Sequence, residues 1–235
     1  MVTLDSARTA RTTTSTAPGI ARTTGLLYLA LGITGMAAYL VVRPLLYDVD
    51  DPAATVSNLI DHERLARVGL VLNLALVTAQ ALAALWFYRL FHSVDAFAAG
   101  AIAVFGMVNA VALLSSTAFL ATALEVALAD PASRVGEPQL MYLVSENLWG
   151  VGAVFFGLWL IPMGRCVLRA GMPRLLGWVL VAGGVGHVLS ACTTYLLPEA
   201  GGVTGALAAP ATIGEFWVIG YLLVKGDRAV RPARA

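Results

Sequence analysis

Six apolar stretches, each about as long as a membrane-spanning helix, constrain this chain of 235 residues more than any other feature. A bilayer core about 30 Å thick is crossed by roughly 20 residues of α-helix. Lipid offers the backbone no hydrogen-bond partner, so a spanning segment must be a helix or a strand of a closed barrel. No stretch alternates apolar and polar residues as a barrel strand does. We therefore predict spanning helices at residues 25–46, 65–91, 97–124, 140–168, 175–197 and 205–224.

The composition excludes the other common classes of protein. Hydrophobic residues make up 59% of the chain and charged residues 12%, whereas soluble domains have about 45–50% and about 25%. The formal net charge of +1 gives no general attraction to nucleic acid. The predicted fold is an all-α, polytopic membrane bundle of six helices at residues 21–226. It lies between a disordered polar tail at 1–20 and a basic tail at 227–235.

Lysine and arginine are distributed unevenly between the two ends of the predicted bundle. Cytoplasmic loops of membrane proteins carry an excess of these residues. One end holds eleven of the fifteen: Arg8, Arg11, Arg22, Arg89, Arg165, Arg169, Arg174, Lys225, Arg228, Arg231 and Arg234. The other end holds Arg43, Arg64, Arg67 and Arg134. We therefore predict that both termini are cytoplasmic.

The connection after the first span carries the signals of a short helix. Asp51 can cap a helix, and Pro52 suits the first helical position. The apolar residues that follow fall on roughly one face: Val56, Leu59, Ile60 and Leu65. We predict a short amphipathic helix on the outer side of the membrane. It either lies on the membrane surface, where it can cover a cavity, or packs as an ordered connection.

Ionisable residues within the apolar spans are the most informative positions, because a charge at the centre of a membrane costs about 2.5–3.5 kcal/mol on insertion scales. Glu146 lies in the fourth span, in the segment SENLWG. Small residues follow it at helical spacing and mark a face that packs against other helices: Gly150, Ala153 and Gly157. Glu146 is therefore predicted to point into the bundle. It is either a catalytic acid or an interfacial residue near the start of its helix.

Two more ionisable residues lie near the middle of their spans, Glu215 in the sixth and His187 in the fifth. A carboxyl at this depth either pairs with another residue or is protonated. The histidine can pair with Glu215 or Glu146 and move a proton. The alternative is structural, with Glu215 joining two helices and His187 hydrogen-bonded in the packing. Glu146, Glu215 and His187 are the candidate catalytic residues.

Seven residues are predicted to bind a substrate: Arg43, Asn73, Gln80, Asn109, Asn147, Trp149 and Trp217. Structural bonds between helices are the alternative for the amides. Arg43, just before Pro44, either extends to the outer interface or turns inward to pair with a carboxylate. If these faces converge, the bundle contains a polar cavity that opens outward or toward the outer leaflet, above a closed inner floor. The sequence has no metal-binding or cofactor-binding motif, so we expect neither a metal nor a cofactor.

Five segments of the chain, taken in order, resemble a known family. They are ARTTGLLYLALGITG with VVRP, DPAATVSNLIDHERLARVGLVLNL, LWFYRLF, FFGLWLIPMGRCVLRAGMPRLLGWVLVAGGVGHV, and GEFWVIGYLLVKG. Over residues 20–227 the chain resembles a bacterial family of six-span membrane proteins described as a domain of unknown function. The resemblance implies a multi-pass protein of the inner cell membrane, of actinobacterial type. It implies nothing about an activity.

Several functions are compatible with this sequence. The cavity can be used for a lipophilic small molecule or a partner. A buried glutamate can start an acid-catalysed reaction, by analogy with membrane-embedded isoprenoid cyclases, or it can couple a carrier to protons. A non-enzymatic accessory subunit, docked through glycine stripes, is a further alternative. The expected partners are the lipid bilayer, a lipophilic small molecule, and a second copy or another membrane subunit, but not nucleic acid.

Overall fold

The computed structural model describes residues 19–129, 135–197, 199 and 201–226, and these residues are predominantly helical. The first span combines three elements: α1 (Ile20–Met36), a π-helical segment (Ala37–Val42) and α2 (Arg43–Leu46). After it come α3 (Pro52–Asp61), α4 (Glu63–Phe91), α5 (Ala96–Ala129), α6 (Gly136–Arg169), α7 (Arg174–Leu196) and α8 (Gly201–Lys225). The predicted tails lie outside the described residues, apart from Gly19 and Ile20.

Six helices are long and apolar enough to cross a membrane, which confirms the predicted all-α bundle of six spans. The helices α5 and α6 extend past the predicted bounds, to Ala129 and from Gly136. With 34 residues each, they measure about 51 Å at about 1.5 Å per residue, more than the core of a bilayer. The predicted bounds are shorter because hydropathy marks the apolar part of a helix and not its full length.

The spanning helices form one ring. Each packs against the next in sequence, from the first span and α4 to α7 and α8, and α8 packs against α1. The two ends of the bundle differ in charge. The basic end holds Arg22 beside Gly226, together with the connections 92–95 and 170–173; α3 lies at the opposite end, the acidic end. That the basic end faces the cytoplasm stays a prediction.

The helices α6 and α7 meet at two pairs of glycines. A side chain on Gly157 would lie 2.6 Å from the carbonyl oxygen of Gly184, and one on Gly164 would lie equally close to that of Gly177. Neither position has room for a side chain, so the two backbones approach closely, as small residues permit in membranes. The glycines of these helices are therefore used for packing within the chain.

The short helix after the first span, α3, forms as predicted. The Asp51 carboxylate accepts hydrogen bonds from two backbone N–H groups of the first turn, at 2.9 Å each, and Pro52 is the first helical residue. Leu59 is buried, and the Thr55 hydroxyl donates to Oε1 of Gln139 at 3.0 Å. The helix packs on α5 and α6. It is thus an ordered connection, and none of its residues lines the central cavity described below.

Asp95 joins α5 to the end of α6. Its carboxylate accepts a hydrogen bond from the backbone N–H of Ala98 at 3.1 Å, and bonds from Arg165 at 2.8 Å and Arg169 at 2.5 Å. The N–H group of Ala98, followed by the two guanidinium groups, holds the pKa of the Asp95 carboxyl below its ordinary value. A lowered folded-state pKa means that Asp95 stabilises the fold above pH about 4, and that this contribution is lost as the pH falls through the lowered pKa.

We expect Asp95→Asn to lower the free energy of unfolding at neutral pH by about 1 kcal/mol, since asparagine still caps α5 and both arginines are half-exposed. Thermal unfolding in detergent, followed from neutral pH to about pH 3, checks this. The variant should lose less stability in acid than the wild type does. The exposed Asp61 at the end of α3 provides the control, Asp61→Asn. Equal acid sensitivity in the wild type and Asp95→Asn would contradict the assignment.

Candidate functional site

The ring encloses a central cavity of about 420 Å³. Pockets that hold small organic ligands measure about 300–1,000 Å³. Most of the lining is apolar, and eight lining residues carry polar groups: Tyr28, Tyr39, Gln80, Asn109, Trp149, His187, Thr212 and Glu215. An apolar wall with a few polar groups is typical of sites for lipophilic molecules.

Aromatic rings close the cavity toward the basic end. Tyr28, Phe87 and Trp159 are buried and touch one another, with ring centroids 5.3 Å apart for Tyr28 and Phe87 and 5.5 Å apart for Tyr28 and Trp159. The helices α1 and α6 stand opposite each other in the ring, so the second contact crosses it. Phe91 and Met163 continue the packed core beyond this layer. The cavity therefore has an aromatic floor.

The cavity opens sideways, between the first span and α8. Three apolar lining residues at this seam are strongly exposed: Met36 (42% exposed), Leu40 (65%) and Phe216 (50%). Nearer the basic end the same two helices are in close contact, because Gly25 lies against Leu222 and Leu223. The seam between them is thus closed beside the floor and open farther along.

Glu215 lines the cavity above its floor, and its partner is a tyrosine. The Tyr28 hydroxyl donates a hydrogen bond of 2.5 Å to Oε1 of Glu215. Among the described residues, the structure records no hydrogen bond to Oε2. His187 also lines the cavity, but its recorded contact is with the Phe156 ring, edge to face at 5.3 Å. The predicted pairing of His187 with a glutamate is therefore absent from the described part of the chain.

Gln80 and Asn109 supply polar groups to the wall made by α4 and α5. Gln80 is completely buried. Its Nε2 donates to the backbone oxygen of Gly106 at 3.3 Å, while its Oε1 has no hydrogen-bond partner. The amide of Asn109 makes no recorded hydrogen bond within the described ranges. An unpaired buried acceptor is unfavourable by about 1–3 kcal/mol unless something else bonds to it.

Arg43 turns inward and forms an ion pair with Glu146. The Arg43 side chain is 5% exposed, so it does not extend to the interface. Its guanidinium lies over the Tyr39 and Trp149 rings, 4.8 Å and 5.3 Å from their centroids, and the Tyr39 hydroxyl donates to Glu146 at 3.3 Å. The two stacked rings line the cavity, whereas Arg43 and Glu146 do not. The ion pair therefore supports the cavity wall from behind.

The π-helical segment Ala37–Val42 carries Tyr39 and leads directly to Arg43. Pro44 follows within one turn, and a proline ring clashes with the carbonyl group four residues before it in a regular α-helix. A π-turn contains one more residue, so the residues beyond it are shifted by about 100° around the helix. Such segments are often found at functional sites.

Besides Arg43 and Glu146, three further predicted site residues are outside the lining of the central cavity. Asn73 donates to the backbone oxygen of Gly69 in its own helix and lines, with Arg43, only a crevice of about 10 Å³. Asn147 is exposed and donates to the backbone of Leu143. Trp217 packs against the core. Successive residues are rotated by about 100° around a helix. Asn147, one residue after Glu146, and Trp217, two residues after Glu215, therefore project from other faces of their helices.

Tyr28 and Tyr39 were not predicted as site residues. Both lie on one face of the first span, with Gly32 and Gly35 between them at spacings of four and three residues. The sequence signal for these two site residues is a pair of tyrosine hydroxyl groups on a helix face that also carries glycines. It is weak, because tyrosine is common in the packed core and at the membrane interface.

A family model described as “Domain of unknown function (DUF4386)” matches residues 23–226. The chain belongs to this family. The resemblance predicted from the sequence is thereby confirmed, and the cavity and the Arg43–Glu146 pair both lie within the DUF4386 domain. No match is found among curated proteins or solved structures. Within the described residues of this DUF4386 chain, no group of three or more His, Cys, Asp or Glu side chains is placed to hold a metal ion.

Replacing Glu146 by glutamine would leave the buried Arg43 charge without its counter-charge. We expect Glu146→Gln to lower the free energy of unfolding by about 3 kcal/mol. The double variant Arg43→Met/Glu146→Gln should recover much of the loss, because it removes the unpaired charge. Denaturant unfolding of the purified protein measures both effects.

Glu63→Gln is the matched control for this pair, since Glu63 and Arg67 form an exposed ion pair at 2.6 Å. Its loss should be below about 1 kcal/mol. A loss for Glu146→Gln no larger than for Glu63→Gln would show that Arg43 does not depend on Glu146.

Proposed function

We propose that this membrane protein binds a lipophilic small molecule in its central cavity, and that the molecule arrives from the membrane between the first span and α8. The observation that carries the proposal is the exposed apolar rim of the cavity at this seam. Met36, Leu40 and Phe216 line the cavity and are strongly exposed. A molecule dissolved in the bilayer can pass them without crossing water.

We further propose that the protein lies in the inner membrane of a bacterial cell with both termini in the cytoplasm. The excess of lysine and arginine at the basic end supports this orientation. The floor formed by Tyr28, Phe87 and Trp159 would then separate the cavity from the cytoplasm. The lateral opening would face the outer leaflet.

Binding of a small molecule has more support than docking as an accessory subunit. The docking alternative relied on stripes of glycine as contact surfaces. In α6 and α7, Gly157, Gly164, Gly177 and Gly184 are occupied in packing within the chain. The cavity has room for a ligand and carries an unpaired buried acceptor on Gln80.

Cavity filling at Gly32 tests the proposal. Gly32 lines the cavity, and a Cβ atom there would meet nothing within 4 Å, so we expect Gly32→Leu to fold and to narrow the opening. A long-chain alcohol with a diazirine in its chain is the probe. Irradiation should label cavity peptides of the wild type, and Gly32→Leu should weaken this labelling at least tenfold, equivalent to about 1.4 kcal/mol.

Gly100→Leu is the matched control, because Gly100 is also half-buried within a helix, has equally empty surroundings and lies outside the cavity. It should be labelled like the wild type. The proposal fails if wild-type adducts lie on the lipid-facing surface only, or if Gly32→Leu is labelled as strongly as Gly100→Leu.

Acid catalysis is a second candidate, favoured by the position of Glu215. This carboxyl lines the cavity and has an oxygen, Oε2, with no recorded hydrogen bond inside the described ranges. Aromatic rings that can stabilise a cation line the same cavity, including Tyr39 and Trp149. Proton-coupled transport would use the same carboxyl.

Glu215→Gln distinguishes these functions, because glutamine keeps the shape of the side chain but cannot deliver a proton. For a binding protein, we expect wild type and variant to retain a lipid of the same mass, identified by mass spectrometry after extraction. A different compound retained only by Glu215→Gln would indicate an enzyme and its unreacted substrate. Probe transport across vesicles that is lost in Glu215→Gln would indicate a carrier.

A further inference from the structure

We infer that the molecule held in the cavity is an aliphatic alcohol or amine, whose polar group donates a hydrogen bond to Oε1 of Gln80. This inference rests on the proposed function and specifies the chemistry of its ligand. Two observations support it: the unpaired hydrogen-bonding groups of the lining, and the positions of the basic side chains in the bundle.

Among the described residues, one buried oxygen atom of the lining lacks a hydrogen-bond partner and requires a donor. Oε1 of Gln80 is buried, has no partner, and cannot exchange roles with Nε2 while Nε2 donates to Gly106. Glu215, which also lines the cavity, can accept a hydrogen bond through Oε2 when its carboxyl is ionised and donate one when it is protonated. A buried acceptor is stabilised only by a group that carries a proton. A hydroxyl or amino group provides one.

The other polar groups of the lining are compatible with this ligand. Asn109 and His187 each carry both donor and acceptor capacity. Trp149 contributes a buried indole N–H without a partner, to which a hydroxyl oxygen or a neutral amine nitrogen can bond. No group in the described lining therefore excludes an alcohol.

The distribution of charge argues against an anionic head group. Among the described residues that line the cavity, none is a lysine or an arginine. Arg43, on the far side of the Tyr39 and Trp149 rings, is already paired with Glu146. A carboxylate or phosphate in the cavity would face Glu215 without a counter-ion, and an unpaired charge removed from water is unfavourable. Fatty acids and phospholipid head groups therefore fit poorly.

Competition among compounds with the same chain tests this inference on the wild-type protein. Photolabelling with the diazirine alcohol is repeated with an excess of the unlabelled alcohol, primary amine, methyl ether or carboxylate. The alcohol and the amine should displace the probe. The ether, which keeps the oxygen but lacks the proton, and the carboxylate should be at least about tenfold weaker.

Two variants assign the effect to residues. Gln80→Met removes the buried acceptor while keeping the size of the side chain, so it should reduce the preference for alcohol over ether. The matched control is Asn73→Leu, on the same helix but outside the cavity, and it should keep that preference. Glu215→Gln should weaken the amine more than the alcohol, because only an ammonium group gains from a negative charge.

The outcomes separate this inference from the proposed function. Displacement by the ether or the carboxylate as strong as by the alcohol would overturn the inference and leave lipophilic binding intact. An unchanged preference for alcohol over ether in Gln80→Met would also overturn it. Absence of any cavity labelling in the wild type would overturn both.

Discussion

Hydrocarbon solvates neither a peptide group nor a polar side chain, and this constraint governs how the bundle uses its polar residues. The backbone meets the constraint through helices. Glu146 and Glu215 meet it in pairs: Glu146 with Arg43, and Glu215 with Tyr28. Gln80 satisfies the constraint only in part, because its Nε2 donates a hydrogen bond while its Oε1 has no partner among the described residues. Among the described residues, Arg43, Trp149 and Trp159 also keep a buried nitrogen atom without a partner. Of the four residues, Gln80 and Trp149 line the cavity.

The ring is divided along its axis into a packed half and a hollow half. Toward the basic end, the aromatic floor and the contact of Gly25 with α8 fill the interior. Farther along, the first span and α8 separate, while glycines hold α6 and α7 together on the other side of the ring. The asymmetry arises from side-chain size. Glycines allow the backbones of α6 and α7 to touch, whereas the larger side chains of Met36 and Phe216 line the cavity at the seam between the first span and α8.

The sequence predicts the spans, the short helix α3 and the inward direction of Glu146, because these follow from hydropathy, capping chemistry and helical periodicity within one segment. It does not predict Tyr28 as the partner of Glu215, since nothing local tells an aromatic residue in the core from one in a site. The π-helical segment was missed for a related reason: Pro44 indicates an irregularity but not its form. Asn147 and Trp217 were assigned to the site by proximity in sequence, although the rotation per residue turns them away from it.

The seam between the first span and α8 joins the beginning of the chain to its end. During synthesis the helices emerge in order, so five spans are in the membrane before α8 exists. At that stage the future cavity is open along one side of a partial bundle, and α8 covers this side last. Under the proposed function, any bilayer lipid that occupies this space would be exchanged for the specific ligand.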